Sequence, residues 1–445
     1  MTVNGPVARY APPWANTHMI GIAGSSGSGK TSLAVKIVTS LNLPWVIILS
    51  MDSFYRVLTP EQSERAHRNE YDFDSPEAID FDVLVKCLED IKAGRHVEIP
   101  IYSFAKHARE EKTTYIYSPH VVILEGIFAL HDPRVLKLLD MKIFADTDLD
   151  TCLARRIARD VRDRGRDPGG CLKQWFAFVK PNFDLYVEPQ KKAADVLIPH
   201  GIDNGAAVSM VIKHIQRTLR KKSVEHQAQI RLLDGEAPED YLKLVFRLSK
   251  SPQLDGIFTI LQDILTDMGD FIFYFDRLSA LLIERALDHV HYDQDSVRTP
   301  LGLEYHGLRS RGEVSAVAIL RAGSAMESGL RRVIPDCRTG RILIQSNTRT
   351  GEPELHYCKL PRNVNEHEGV LLLDPQISSG GTALMAVRVM LDHGVQEDRI
   401  VFVTFIAAHM GLQRLTKVYP RLKIVTAQVA DVFDKRWVDQ RYFGC

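Results

Sequence analysis

"HMIGIAGSSGSGKTSL", residues 18–33, decides how the first half of the chain folds. An apolar run passes into a Gly/Ser-rich turn and then into a helix-forming stretch. Gly24, Ser25, Ser26, Gly27, Ser28, Gly29, Lys30 and Thr31 fit the pattern G-x-x-x-x-G-K-[ST]. Glycines let backbone N–H groups wrap phosphate oxygens, and a helix N-terminus adds a favourable field. Lys30 is placed to reach the β- and γ-phosphates of a nucleoside triphosphate, and Thr31 to serve Mg²⁺. A Gly/Ser-rich turn that matches by chance would not need this strand–turn–helix setting.

Outward from the loop, short β-branched runs recur at 45–50, 120–126, 141–146 and 194–199, with helical spacing over 30–41 and 77–93. Apolar at nearly every position, they predict parallel strands covered on both faces. After helical spacing over 252–290, a second series follows at 314–320, 340–346, 369–374, 399–407 and 422–427. The fold class is therefore α/β twice over, with a highly charged stretch between. The expected division is a disordered arm over 1–17, a P-loop domain over 18–220, a linker over 221–241 and a second α/β domain over 242–445.

Composition excludes several classes. A chain of 445 residues is long for one core, at about 150 residues per domain. Lys plus Arg equals Asp plus Glu at 56 each, so no overall field favours nucleic acid. The apolar runs are strand-sized and predict no membrane partner. Six cysteines without paired metal spacing predict reduced thiols in the cytoplasm.

Two acids follow strands beside the loop. Asp52 stands in "MDSFY" and Glu125 ends "HVVILE". They suit one metal-associated carboxylate and one general base on an acceptor hydroxyl, or else ordinary helix caps. "ARRIARDVRDRGRD", 154–167, sets Arg155, Arg159, Arg162 and Arg166 at helical spacing. Read alone, it is equally a solvated basic helix or a lid over a triphosphate.

"DSFY" (52–55), "DFDSPEAIDFD" (72–82), "IPIYSFAKHAR" (99–109), "ILEGIFAL" (123–130), "FADTDLDTCLARRIARDVRDRGRD" (144–167) and "FVKPNFDLYVEPQKKAADVLIPHG" (178–201) together resemble the uridine-cytidine kinases. The resemblance implies transfer of the γ-phosphoryl of ATP, or of GTP, to the 5′-hydroxyl of uridine or cytidine, with Mg²⁺. It implies Asp52 as base and as a metal neighbour, with Thr31 and Glu125 on the metal side. It also implies Asp74, Arg156, Arg166 and Gln174 around the nucleoside, and Tyr55, Tyr102, Phe104 and His107 around the base. Lys30, Arg159 and Arg164 then neutralise transferring charge. An imidazole donates or accepts, so His107 suits either pyrimidine. Ser103 departs from the family, several members of which carry an acid there.

"AILRAGSAMESGL" (318–330), "GEPELHYCKLP" (351–361) and "LLLDPQISSGGTA" (371–383) resemble uracil phosphoribosyltransferase. The resemblance implies a phosphoribosyl pyrophosphate site built from Arg321, Gly323, Asp374, Ser378, Ser379, Gly380, Gly381 and Thr382. The family's late Gly- and Pro-rich base-reading loop is missing: between 421 and 445 there is no proline, and Gly444 is the only glycine. Arg441 to Gly444 is the sole remnant, and Gln345 replaces an expected arginine. A loop that bends around a flat base needs glycines. The expectation is a homo-oligomeric pyrimidine-salvage kinase whose C-terminal domain binds or regulates. The alternatives are a bifunctional enzyme that also makes UMP from uracil, and a scaffold with both folds catalytically retired.

Overall fold

The computed structural model describes residues 9–68, 70–103, 106–165, 167–234, 241–347, 352–431 and 437–444, without the side chains of Arg164 and Ile202. The chain divides into two compact units, Pro13–Ser223 and a second that joins the chain up to Pro12 with Val224–Cys445.

In the first unit, strands β1 (His18–Gly24), β2 (Val46–Ser50), β5 (Val121–Glu125), β6 (Met141–Asp146) and β7 (Val196–Pro199) form a parallel sheet in the order β2-β5-β1-β6-β7. Side chains alternate across a strand, so β1 supplies two cores. Ile20 and Ile22 pack with Leu33, Ile37, Val208 and Ile215, whereas Met19 and Ala23 join Leu84, Leu88, Leu124 and Phe128 on the other face. Each such aliphatic or aromatic burial stabilises by roughly 1.5–3 kcal/mol. The carboxyl ends of β1, β2 and β5 converge, with Ile22 and Ser50 both in register with Glu125.

β3 (Val97–Ser103) and β4 (Ala108–Ile116) form a separate antiparallel hairpin. The strand series read from apolar runs passes over it, because β4 reads AREEKTTYI and is mostly exposed.

In the second unit, β8 (Val245–Arg247), β11 (Val314–Leu320), β12 (Arg338–Ser346), β13 (Pro353–Lys359), β14 (Gly369–Leu373), β16 (Ile400–Ala408) and β17 (Lys423–Ala430) run in the order β13-β12-β11-β14-β16-β17-β8. β15 (Gln376–Ile377) pairs with β16, and β9 (Tyr292–Arg298) with β10 (Glu304–Ser310) forms a two-stranded sheet. The helices Pro252–Gln262 and Met268–Leu287 bury Ile257, Phe271, Phe275 and Leu282 against Val403 and Phe405.

Two boundaries differ from the sequence expectation. The helix begun at Gly205 continues to Leu232, through most of the stretch read as a linker. Its Lys, Glu, Gln and Arg residues are good helix formers, and charge alone did not distinguish helix from loop. Residues 235–240 of that stretch lie outside the described residues, as do 1–8 of the expected arm. From Arg9 onward the arm is folded. Trp14 is fully buried, and Thr17 donates to the carbonyls of Trp14, Ile91 and Pro119. Tyr10 hydrogen-bonds with His226 Nε2 at 2.9 Å, and His226 Nδ1 with Glu352 Oε1 at 2.8 Å, all three residues being buried. Aromatic anchors override a proline-containing, otherwise loop-like sequence.

Candidate functional site

The phosphate loop joins β1 to the helix Lys30–Leu41. Gly29 sits at φ 86° as that helix's cap, and Ser28 N–H closes the turn on Ser25 O at 3.0 Å. Gly27 has φ 89°, and a Cβ there would lie 2.3 Å from the Cys152 carbonyl oxygen, so only glycine fits.

Beneath the loop, Glu125 is 4% exposed and both its oxygens are engaged. Thr31 Oγ1 donates to Oε2 at 2.9 Å and Ser50 Oγ donates to Oε1 at 2.7 Å. Ser50 also caps the short 3₁₀ turn Met51–Phe54 by accepting from Asp52 N–H at 3.4 Å. One hydroxyl thus orients both acids singled out in the sequence. The hydroxyl and carboxylate oxygens of Thr31 and Glu125 are the hard donors Mg²⁺ takes, in a partial set that leaves room for its retained waters.

Ser26, Lys30, Asp52, Tyr55, Phe73, Asp74, Tyr102, His107, Ile127, Arg156, Arg159 and Gln174 line one cleft of about 640 Å³, its open mouth included. Ten of these stood in the sequence expectation: Ser26, Lys30, Asp52, Tyr55, Asp74, Tyr102, His107, Arg156, Arg159 and Gln174. Phe104 and Arg166 lie outside the described residues, as does the side chain of Arg164.

The aromatic wall is continuous. The Tyr55 ring lies 5.1 Å from Tyr102 and 5.6 Å from Phe73, and Phe73 stacks on His107 at 5.1 Å and 17°. The hairpin is fastened to this wall by Arg109, whose Nε donates to Tyr55 O at 3.0 Å and whose Nη2 donates to Asp80 at 3.4 Å. Asp74 N–H donates to Asp72 Oδ1 at 3.0 Å, and Asn182 Nδ2 donates to Asp72 Oδ2 at 2.7 Å. Burial nonetheless pushes the Asp72 pKa up.

The helix Leu149–Arg164 carries Arg156 and Arg159 to the cleft. Arg156 Nη1 donates to Ser26 Oγ at 2.9 Å and to Asp74 Oδ1 at 3.4 Å. Arg159 pairs with the fully buried Asp160 at 2.8 Å. Arg162 is exposed and paired with Asp163 at 2.7 Å. One helix therefore has both a site face and a solvated face.

The sequence reading gave no role to Phe73, Ile127, Ser50, Asp72 or Asn182. Phe73 stood inside a quoted motif, and its place between two acids was the available signal. Ser50 showed none beyond preceding Asp52 by two positions.

The second Gly-rich turn is also present. Gly380, at φ 79°, caps the helix Gly381–Asp392, and a Cβ there would lie 2.9 Å from Gly411 O. A Cβ on Gly323 would lie 2.1 Å from Leu373 O, so the loop after Arg321 runs against the end of β14. Asp374 is 1% exposed, Ser378 and Thr382 are half-buried, and Ser379 O accepts from Arg414 Nη1 at 2.7 Å. Gln345 is exposed on β12, in register with Glu354.

Where a base-reading loop would be expected, the helix Trp437–Phe443 enters the core. Val438 is fully buried, Tyr442 donates to Asp276 Oδ1 at 2.9 Å, and the Trp437 ring lies 6.1 Å from Phe405. Arg441 donates to the carbonyls of Ile264 at 3.1 Å, Asp263 at 3.3 Å and Thr266 at 2.7 Å. The supposed motif remnant is a structural clamp. Among the described residues, no helix is long and apolar enough to cross a membrane.

Residues 19–207 match the family model described as Phosphoribulokinase / Uridine kinase family, and residues 248–438 match that of Uracil phosphoribosyltransferase. The uridine kinase of Saccharomyces cerevisiae is 41% identical over 457 residues, covering 99% of this chain and 91% of that protein. Uridine-cytidine kinase-like 1 of Mus musculus is 42% identical, covering 97% of this chain and 82% of that protein. The uridine kinase of Schizosaccharomyces pombe is 41% identical, covering 98% and 97% respectively.

Proposed function

The chain belongs to the uridine kinase family and is a kinase, and from that premise we infer that it phosphorylates the 5′-hydroxyl of uridine and cytidine, with ATP as donor. The observation that carries this reading is one cleft in which phosphate-loop Lys30, the acid Asp52 and an aromatic wall meet.

Asp52 is the base that accepts the proton of the nucleoside hydroxyl. Asp74 and Arg156 hold the ribose, with Gln174 beside it. A half-buried carboxylate that accepts from cis hydroxyls would be left short of a donor by a 2′-deoxy sugar, which sets the preference for ribose. The wall of Tyr55, Phe73 and Tyr102 gives the pyrimidine an aromatic surface to pack on, and His107 meets its polar edge as donor or acceptor. Gly24 to Thr31 cradle the triphosphate, and Lys30 with Arg159 neutralises charge as the phosphoryl group moves. The family resemblance gives Arg164 a charge-neutralising role and Arg166 a role near the nucleoside. Thr31 and Glu125 would hold Mg²⁺, with Asp52 nearby; when bound, the ion supplies charge neutralisation between phosphate oxygens. GTP is a second donor to test.

Turnover of ATP with uridine, compared between the unsubstituted chain and Asp52→Asn, tests the reading. Equal rates would refute the base assignment.

The C-terminal unit binds a ribose-phosphate ligand or regulates, and does not transfer phosphoribosyl groups to uracil. The helix Trp437–Phe443 supports this, since its residues serve the core. UMP formed from uracil and phosphoribosyl pyrophosphate at enzyme-like rates would overturn it. The chain works as a cytoplasmic homo-oligomer in pyrimidine salvage. Light scattering and cell fractionation test those two points.

A further inference from the structure

One hydroxyl of the phosphate loop is gripped from the acceptor side. Arg156 is 5% exposed, and its Nη1 is shared between Ser26 Oγ at 2.9 Å and Asp74 Oδ1 at 3.4 Å. Its Nε lies 3.8 Å from Asp160 Oδ2, a fully buried carboxylate that Arg159 also holds. Burial works against the guanidinium's charge, yet Asp74 and Asp160 outweigh it and raise the pKa. Arg156 is thus a buried charged post whose Nε makes no hydrogen bond and whose Nη1 alone bridges two loops. A guanidinium donates through a rigid planar fork. Its tip cannot follow Asp74 without also moving relative to Ser26.

We propose that Ser26 is a positioning residue through which a nucleoside held at Asp74 and a nucleoside triphosphate on the phosphate loop tighten each other's binding. The proposal rests on the reading that Asp74 and Arg156 hold the acceptor ribose. Ribose hydroxyls that donate to Asp74 fix its carboxylate. The fixed carboxylate fixes the Arg156 fork, which then holds Ser26 and its loop. The second ligand meets a loop already ordered, and the cost of ordering it falls on the first. Such coupling is reciprocal: each ligand must improve the other's affinity by the same factor.

The full chain is titrated calorimetrically with uridine, and with Mg²⁺ plus a non-hydrolysable ATP analogue, each alone and with the other saturating. The expected factor is about 5–10-fold in both directions. Ser26→Ala should bring it to about 1, whatever either ligand's affinity alone, and Ser26→Thr should restore part of it. Where Ser26→Ala gives no soluble chain, Ser26→Gly, which removes the same hydroxyl, should also bring the factor to about 1.

Independent binding in the unsubstituted chain would overturn the proposal. So would a Ser26→Ala protein that retains the factor while both affinities fall together, the mark of a merely structural bond. Unaltered uridine affinity in Asp74→Asn would instead remove the pocket assignment beneath the proposal. That failure is recognised separately, because the coupling in the unsubstituted chain is measured without any substitution at Asp74.

Discussion

The two Gly-rich turns of this chain follow one local recipe. Each comes after an apolar parallel strand, and each sets a glycine in the left-handed region as a helix cap, Gly29 at φ 86° and Gly380 at φ 79°. What surrounds them differs. Around Gly24 to Thr31 stand two oriented acids, an aromatic wall and cleft arginines. At the turn after Asp374, Arg414 serves the fold by holding Ser379 O, and elsewhere in that unit Arg441 holds the loop after the helix Pro252–Gln262. A phosphate-gripping turn is a local motif and comes easily to an α/β strand end. Catalysis is decided by what the rest of the fold brings opposite it.

The widest separation between the turns should appear in their acids. Asp52→Asn is expected to lower the nucleoside kinase rate by roughly 10²–10⁴-fold, the usual worth of a general base. Asp374→Asn, its counterpart at the second turn, should leave that rate unchanged. Steady-state rates on both proteins decide this, and equal losses would break the contrast.

Next in size is Ser50→Ala. It removes the donor to Glu125 Oε1 and the cap on Asp52 together. Loss of a hydrogen bond to a charged group costs about 1.5–3 kcal/mol, or roughly 10- to 150-fold in apparent Mg²⁺ affinity or rate. The Mg²⁺ dependence of nucleotide binding separates this from a simple loss of stability.

Elsewhere in the C-terminal unit the expected effects concern stability. Arg441→Ala frees three carbonyls and a stack over Phe271 at 5.2 Å, and should destabilise the C-terminal unit by roughly 1–3 kcal/mol without changing kinase kinetics. Denaturant unfolding read by the Trp437 signal measures it.

The smallest effect concerns pH. His18, at the start of β1, has a buried Nε2 with no hydrogen-bond partner, and burial lowers its pKa from 6.5 to about 4. Asp140 works against that shift, while Lys222, His214 and Lys92 add to it. The unfolded chain therefore binds more protons between those values. Stability should be full above 6.5 and fall as pH drops toward about 4. His18→Gln should flatten that slope in pH-dependent unfolding.

How much was legible in the sequence depended on the kind of signal. The central strands announced themselves, because a strand covered on both faces must be apolar throughout, as in β5 and β14. The β3–β4 hairpin was silent because β4 is solvated and its alternation is polar. Lys30, Asp52 and Glu125 stood out by residue type and by their place after a strand, whereas Asp74 and Arg156 were marked only by the family resemblance; Lys30, Asp52, Asp74 and Arg156 line one cleft. Ser26 and Ser50 were not recognised as links, since a serine acquires such a role only from partners distant in sequence. The Ser50–Glu125 bond spans 75 positions and the Ser26–Arg156 bond 130. The clamp made by Arg441 was not foreseen for the same reason, its carbonyl partners lying 175 or more positions upstream.

The buried trio of Tyr10, His226 and Glu352 bears on how the chain is made. Tyr10 leaves the ribosome before nearly everything else described, yet its partners come 216 positions later and, through His226, a further 126. At about 5–20 residues per second, Glu352 follows Tyr10 by roughly 20–70 s. The unit Pro13–Ser223 is synthesised in full within that interval. The segment around Tyr10 must therefore wait, uncommitted, until His226 and Glu352 have been made, and only then can the buried trio close.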